Sequence, residues 1–193
     1  MIKTHRNFAG RTEGGILVGM NDKDLVEKGK IGEVALGRWL DQQGLAYLYI
    51  DQSETTFARL FLRHVKRPDF LMLFEGVGLL AVDAKNCSLY KDQHFSLKID
   101  AEIKRTIAFE RLFRLPVWYA YMSPSEEGLW YWINALKVLE VGENKVNGET
   151  GEPFFSIDIR HFLEIRTNED LGKLYTQRLP DTSKVGGFGL ENL

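Results

Sequence analysis

The sequence predicts an α/β (α+β) fold in which a mixed central β-sheet is flanked by helices. Apolar residues recur at helical spacing in two separate stretches, 22–43 and 100–115. Between and after these stretches lie short runs of aliphatic and aromatic residues that have the length of strands. An order of helix, strands, helix and strand along one chain is typical of this class.

Composition sets the broad class of the protein. The chain has 193 residues, of which 44% are hydrophobic and 27% charged, the usual mix of a globular domain. At roughly 150 residues per domain, this length predicts a single domain over 1–193. The single cysteine, Cys87, excludes a disulfide framework and a Cys-rich zinc site. No apolar run reaches the ~18 residues of a membrane span. The N-terminus lacks an apolar signal region, so we expect a cytoplasmic protein without a membrane partner.

The first helix has start and stop signals at both ends. Asp22 or Asp24 can cap a helix that runs to about Gln43, and Gly44 lies where a C-terminal stop belongs. Residues 1–20 lack a clear period and predict an irregular N-terminal arm. The apolar positions that define the period of this helix are Leu25, Leu36, Trp39 and Leu40.

The strands follow in three groups. Residues 45–51 predict a strand, and residues 57–65 alternate in part and predict another, with a short helix as the alternative. Two apolar runs, 67–74 and 78–86, are separated by Glu75-Gly76-Val77-Gly78 and predict a hairpin. After a helix that Pro116 ends, strands are predicted at 117–123, 129–134 and 154–159, with a short helix at 134–140, another from about Asn168, and a tail at 184–193.

Charge is distributed unevenly along the chain. The net charge is −2, which by itself argues against a nucleic-acid partner. However, the stretch 59–67 contains four basic residues and no acid. Together with a second basic group at 104–114, it predicts a phosphate-facing surface. The residues that we expect to contact nucleic acid are Arg59, Arg63, Lys66, Arg67 and Lys104.

Acidic residues occur where an acid is costly. Asp83 lies inside an apolar strand and shares one face with Lys85, because strand side chains alternate between faces. An ionised carboxylate in such a strand must be paired or metal-bound. Asp69 opens the preceding strand directly after Pro68, a place where proline removes no ladder hydrogen bond.

The length of the hairpin loop decides whether the two aspartates meet. A two-residue loop would pair residue 69 with 84 and place Asp69 on the opposite face from Asp83. A three-residue loop pairs 69 with 83 or 85 and places Asp69 beside Asp83 and Lys85. A bulge near Asp69 would have the same effect. A shared site therefore requires a three-residue loop or a bulge.

A third carboxylate, Glu33, lies on the apolar and glycine-rich face of the first helix, so we expect it to point towards the sheet. Oxygen ligands from Asp69, Asp83 and Glu33, without a His or Cys cluster, favour Mg²⁺ or Mn²⁺ over zinc. The carbonyl of Ala84 can complete the coordination. Each residue also has a structural alternative: a turn cap for Asp69, a simple ion pair for Asp83 and Lys85, and a salt bridge to Lys30 or Arg38 for Glu33.

Pro68-Asp69, thirteen residues and then Asp83-Ala84-Lys85, with Glu33 upstream, resemble the PD-(D/E)XK nuclease superfamily, which has the restriction-endonuclease-like fold. Gly32-Glu33 and the stretch 82–86 resemble NERD-type domains and archaeal-type Holliday junction resolvases, although the second acid there is usually Glu. The resemblance covers a core at about 24–122. It leaves 123–193 as a C-terminal extension that selects substrate or dimerises.

This resemblance implies catalytic roles for Glu33, Asp69, Asp83 and Lys85, with Asp69, Asp83, Glu33 and Ala84 holding the metal. It also implies that Lys104 corresponds to the basic or amide residue that members of this superfamily often have on the later helix. We therefore predict a Mg- or Mn-dependent endonuclease that hydrolyses phosphodiester bonds of duplex or branched DNA, with a homodimer as the form that cuts both strands. One alternative is a catalytically inactive nuclease-fold domain that binds nucleic acid or a protein partner. Another is an unrelated α/β domain with a chance motif, which clustering of Asp69, Asp83 and Lys85 on a sheet would exclude.

Overall fold

The computed structural model describes residues 22–61, 64–76, 78–89 and 93–177, with the side chains of 22–26, 54 and 60 set aside. The predicted arm at 1–20, the tail at 184–193, Arg63 and the capping side chains of Asp22 and Asp24 lie outside this description. The helices are α1 (Asp22–Gln42), α2 (Lys104–Phe113), α3 (Ala135–Val141) and α4 (Lys173–Gln177). The strands are β1 (Tyr47–Tyr49), β2 (Phe70–Phe74), β3 (Gly78–Lys85), β4 (His94–Lys98), β5 (Val117–Met122), β6 (Trp130–Asn134), β7 (Glu143–Val146), β8 (Pro153–Asp158) and β9 (Leu163–Ile165).

Six of these strands form the main sheet, in the order β1-β2-β3-β5-β6-β9. Strands β3 and β5 are parallel, and the other neighbouring pairs are antiparallel. The connection from β3 to β5 carries α2, as a crossover between parallel strands requires. The predicted mixed sheet flanked by helices is therefore confirmed.

The β2–β3 hairpin has the register that a shared site requires. Phe74 pairs with Gly78 and Phe70 pairs with Val82, so three residues separate the last paired positions of the hairpin. Gly76 has φ +76°, a conformation that glycine adopts without steric cost. Extended by one residue, this register brings Asp69 alongside Asp83.

A second, three-stranded sheet has the order β4-β8-β7. Its central strand, β8, pairs with β4 on one side and β7 on the other. The sequence did not indicate β4, β7 or β9. β4 and β9 pair with strands that are distant in sequence, and β7 is a short, largely exposed strand without an apolar pattern. Residues after 122 thus contribute β6 and β9 to the main sheet and β7 and β8 to the second sheet.

The main sheet separates two hydrophobic layers. On one face α1 places Leu36, Trp39 and Leu40 against Val82 and Trp118. On the other face lie α2, α3 and the second sheet, whose buried residues include Phe95, Ile103 and Phe109. Burial on both faces explains the continuous apolar runs of β3 and β5. None of the described helices combines the length and apolar character that crossing a membrane requires.

The strand predicted at 57–65 is wrong, and the alternative, a short helix, is closer to what the structure has. Described residues in that stretch form a 3-10 turn over Arg59–Phe61, after another at Glu54–Thr56. The Arg67 guanidinium donates hydrogen bonds to the carbonyls of residues 51, 52 and 53, and it lies 4.8 Å from the centroid of the Phe57 ring. These contacts hold the chain that leads into the stretch against Arg67.

Candidate active site

Asp83 and Lys85 lie two residues apart on β3 and point to the face that carries α2. Asp83 is 2% exposed, and its Oδ2 lies 2.8 Å from Lys85 Nζ. Burial alone would raise the pKa of Asp83, but the ammonium groups of Lys66 and Lys85 lower it to about 2. The carboxylate is therefore ionised at neutral pH despite its burial.

Lys66 and Glu102 complete a carboxylate–lysine cluster, defined here as Lys66, Asp83, Lys85 and Glu102. Lys66 Nζ lies 2.9 Å from the same Asp83 Oδ2 that Lys85 contacts. Glu102 Oε2 lies 2.5 Å from each of the two ammonium groups. Burial alone would lower the pKa of Lys85, but the charges of Asp83 and Glu102 raise it well above its ordinary value. Lys85 is therefore a fixed cation.

Glu102 is a cluster residue that sequence reasoning missed. It lies on a π-helical turn over Ile99–Ile103, just before α2, where the N–H of Lys104 donates to the Ile99 carbonyl. Such turns are rare in proteins, and those that occur often lie at functional sites. Burial alone would raise the pKa of Glu102, but Lys85 and Lys66 lower it. The available sequence signal was its position next to Ile103, an apolar residue of the predicted helix that the structure buries fully.

Asp69 lies beside the cluster and is held by β3. Its main-chain N–H donates to the Val82 carbonyl at 3.0 Å, and its Oδ2 accepts from the Ala84 N–H at 2.8 Å. Asp69 is 6% exposed. Burial and the charge of Asp83 raise the pKa of its carboxyl to about 8, although Lys66 and Lys85 oppose the shift. Asp69, Asp83 and Lys85 thus cluster at one end of the β2–β3 hairpin.

Aromatic side chains of β5 form a wall of the site. Tyr119 pairs with Asp83, and Tyr121 pairs with Lys85, in the β3–β5 ladder. Both tyrosines are fully buried, and Lys85 Nζ lies 5.6 Å from the centroid of the Tyr119 ring. This wall keeps water away from the inner side of Lys85 and strengthens the electrostatic interactions of the cluster.

Glu33 lies across the sheet from the cluster. Helix α1 packs on the face of Val82 and Ala84, whereas Asp83 points to the other face. Among the described residues, the hydrogen-bond partner of Glu33 is Tyr49, whose Oη donates to Oε2 at 2.7 Å. The charge of Glu33 still contributes to the raised pKa of Asp69. Asp69 is therefore within electrostatic range of both the helix carboxylate and the cluster.

The predicted nucleic-acid contacts fall in different environments. Arg59 is exposed, and Lys104 is exposed and paired with Asp100 at 2.5 Å. Arg67 donates to three carbonyls and to the Thr56 hydroxyl, and its guanidinium lies 4.8 Å from the Phe57 ring centroid. Lys66 belongs to the cluster.

The donor set fits a hard divalent cation. No group of three or more His, Cys, Asp or Glu side chains in the described ranges has the arrangement of a metal site. Mg²⁺, however, is usually held by one or two carboxylates, with waters and substrate phosphates as its other ligands. Asp69 and Asp83 provide two buried carboxyl groups. With the Asp69 carboxyl protonated, the charges of Asp83 and Glu102 balance those of Lys66 and Lys85, and a bound divalent cation would favour loss of the Asp69 proton.

Fold and site together describe a mixed α/β protein with a buried carboxylate–lysine cluster at the end of a β-hairpin. The structure is similar to that of Hjc, a Holliday junction resolvase from Archaeoglobus fulgidus, an archaeal hyperthermophile. The likeness covers 75% of this chain and 96% of the resolvase chain, with 20% identity and a TM-score of 0.49. No protein-family model matches the sequence, and no curated protein matches it. A likeness of this size concerns the course of the backbone, and the chemistry depends on the side chains described above.

Proposed function

We propose that this protein is a metal-dependent endonuclease that hydrolyses DNA phosphodiester bonds. The observation that carries this proposal is the pairing of Asp83 with Lys85 on β3, with Asp69 held beside them by the Ala84 N–H. Two carboxylates and a fixed ammonium group on rigid strands supply the charges that phosphodiester hydrolysis needs.

In this proposal Asp69 and Asp83 would hold a Mg²⁺ or Mn²⁺ ion, and the other two predicted ligands, Glu33 and the Ala84 carbonyl, are not required to hold it. When bound, such an ion polarises the scissile phosphate and acidifies a water molecule. Lys85 places its charge where it can orient the attacking water or stabilise the charge that develops on the phosphate. Tyr119 limits the access of bulk water to this charge.

The proposed substrate is duplex or branched DNA. Arg59 and Lys104 are the exposed basic residues that support a phosphate-facing surface, and the predicted Arg63 belongs to the same run. A homodimer is the proposed form for cutting both strands. The net charge of −2 does not oppose this, because Glu33, Asp69 and Asp83 are acids whose charge a bound cation offsets.

A nuclease assay tests the proposal. The full chain is incubated with a four-way junction, linear duplex and single-stranded DNA, each with Mg²⁺, Mn²⁺ or EDTA, beside the Asp83→Asn variant. We expect cation-dependent cleavage of at least one DNA substrate and its loss in D83N, with an unchanged circular dichroism spectrum. Cleavage at the wild-type rate by D83N, or no cleavage of any substrate, would contradict the proposal.

A second candidate function rests on a different observation. Both ammonium groups neutralise Asp83 Oδ2, so the cluster is also stable as a structural ion network in an inactive nuclease-fold domain that binds nucleic acid or a protein partner. Calorimetry with Mn²⁺ separates the two functions. Binding that D83N removes supports the enzyme, and binding that is absent or unchanged in D83N supports the inactive domain.

A further inference from the structure

Two lysines from different parts of the chain contact one carboxylate oxygen. Lys85 reaches Asp83 Oδ2 from the same strand at 2.8 Å, and Lys66 reaches the same oxygen at 2.9 Å from the segment before β2. Glu102 supplies the counter-charge of the second ammonium group. Charge balance alone therefore does not require that both lysines contact the same Asp83 oxygen.

Hydrogen bonds between the main chain around Lys66 and helix α2 fix the position of Lys66. Its N–H donates to the Arg105 carbonyl at 3.1 Å, and the Arg105 guanidinium donates to the Val65 carbonyl at 3.3 Å. Val65 is buried, and the Lys66 side chain is 23% exposed. Helix α2 thus fixes the point from which Lys66 enters the cluster, unlike a lysine on a solvated surface.

Glu102 gives Lys66 a second partner that does not depend on Asp83. Its Oε2 lies 2.5 Å from Lys66 Nζ. If Asp83 turned to another cation, Lys66 would keep this ion pair and would not be left as an uncompensated buried charge. Lys85 has less freedom, because it lies on the same rigid strand as Asp83.

We propose that Lys66 is an exchangeable internal cation: it occupies Asp83 Oδ2 while no divalent ion is bound, and it withdraws to Glu102 when a divalent ion binds. This inference rests on the proposed function, because it requires that Asp83 be a metal ligand. Lys66 and Glu102 are then positioning residues that set the affinity for the metal. Each ammonium group at Asp83 Oδ2 repels a divalent cation, so loading the site is favoured when one of the two leaves. Lys66 is the one that does not share the strand of Asp83.

The exchange predicts opposite effects of two substitutions on metal affinity. Lys66→Met removes the competitor, and we expect Mn²⁺ to bind about tenfold more tightly, which corresponds to about 1.4 kcal/mol. Glu102→Gln removes the alternative partner, and we expect weaker binding. In the K66M/E102Q double variant the effect of E102Q disappears, because Glu102 acts through Lys66. Independent contributions to the local field would instead add.

The test is isothermal calorimetry of the full chain with Mn²⁺ alone, at low and high salt. Lys137→Met is the matched control, since Lys137 is 20% exposed and pairs with Glu140 in its own helix. Thermal unfolding with and without Mn²⁺ gives a second readout. The exchange predicts that K66M lowers the melting temperature more in EDTA than in Mn²⁺, whereas a purely structural lysine would lower it equally in both.

The possible outcomes distinguish the two proposals. Equal Mn²⁺ affinity in wild type and K66M, with D83N still abolishing binding, would overturn the exchange and leave the metal site intact. Absence of Mn²⁺ binding in wild type and K66M alike would overturn the proposed function itself. If K66M does not fold, E102Q decides: weaker Mn²⁺ binding that persists at high salt supports the exchange, and unchanged affinity contradicts it.

Discussion

The Asp69 carboxylate accepts a hydrogen bond from the main-chain N–H of Ala84 at 2.8 Å, in a place where β2 no longer pairs with β3. The side chain therefore continues the sheet after the ladder has ended, and it satisfies a buried donor. It also brings the carboxylate next to Asp83, whose charge, together with burial, raises the pKa of Asp69 to about 8.

The pH dependence of stability follows from Asp69. Its carboxyl has a pKa of 3.8 when unperturbed and of about 8 in the folded protein, so between these values the folded state holds a proton that the unfolded chain releases. This contribution to stability is complete below the lower value and is lost as the pH rises towards about 8. Without divalent ions, we expect wild type to lose stability across this window relative to Asp69→Asn, which does not titrate. Urea unfolding of both proteins at pH 5 and pH 8 in EDTA measures this difference. An equal change in the free energy of unfolding between the two pH values for both proteins would refute the prediction.

Removal of the Lys85 ammonium should abolish catalysis and spare the fold. We expect Lys85→Met to reduce cleavage about a hundredfold or more through lost electrostatic stabilisation. Asp83 keeps Lys66 as a partner, so the loss of stability should be smaller than the ~3–5 kcal/mol of an unpaired buried charge. Single-turnover cleavage and urea unfolding measure the two effects, with Lys137→Met as the control. Wild-type cleavage by K85M would remove Lys85 from the mechanism.

Arg67 and Arg59 should affect different properties. Arg67 donates to three carbonyls and one hydroxyl, a geometry that a lysine cannot reproduce. We expect Arg67→Lys to lower the free energy of unfolding by about 1–3 kcal/mol. Arg59 is exposed, so Arg59→Gln should change the free energy of unfolding by no more than ~0.5 kcal/mol. It should reduce the slope of log K for DNA binding against log salt concentration by about one. The reverse pattern in urea unfolding and salt-titrated binding would contradict this division.

Two glycines of α1 make a matched pair. A Cβ at Gly32 would lie 3.0 Å from Asn86 Cβ, whereas a Cβ at Gly29 would meet no atom of the described residues within 4 Å. Alanine in place of glycine inside a helix is worth about 1 kcal/mol. We therefore expect Gly29→Ala to stabilise the protein and Gly32→Ala to stabilise it less or to destabilise it, because α1 is pressed against the end of β3. Equal stabilisation by the two substitutions in urea unfolding would contradict this expectation, because it would mean that Asn86 moves away from the added methyl group at position 32 without cost.

Much of this architecture could be predicted from local sequence. The period of Leu36, Trp39 and Leu40 predicts α1, the loop residues after Phe74 predict the hairpin, and alternation on β3 places Asp83 and Lys85 on one face. Each depends on neighbours within a few residues. The three-residue loop was a consequence of requiring that Asp69 reach Asp83, and the register of β2 and β3 confirms it.

The composition of the cluster was decided only by the tertiary structure. Lys66 and Glu102 are separated by 36 residues and meet because α2 binds the main chain of Lys66 and because a π-helical turn directs Glu102 inward. Arg67, three residues before β2, contacts the segment 51–57. Local alternation of residue types could not predict these contacts. Sequence patterns determine which faces and turns a segment prefers. Which charges share a buried site depends on long-range packing, since neither partner leaves a local signal of the other.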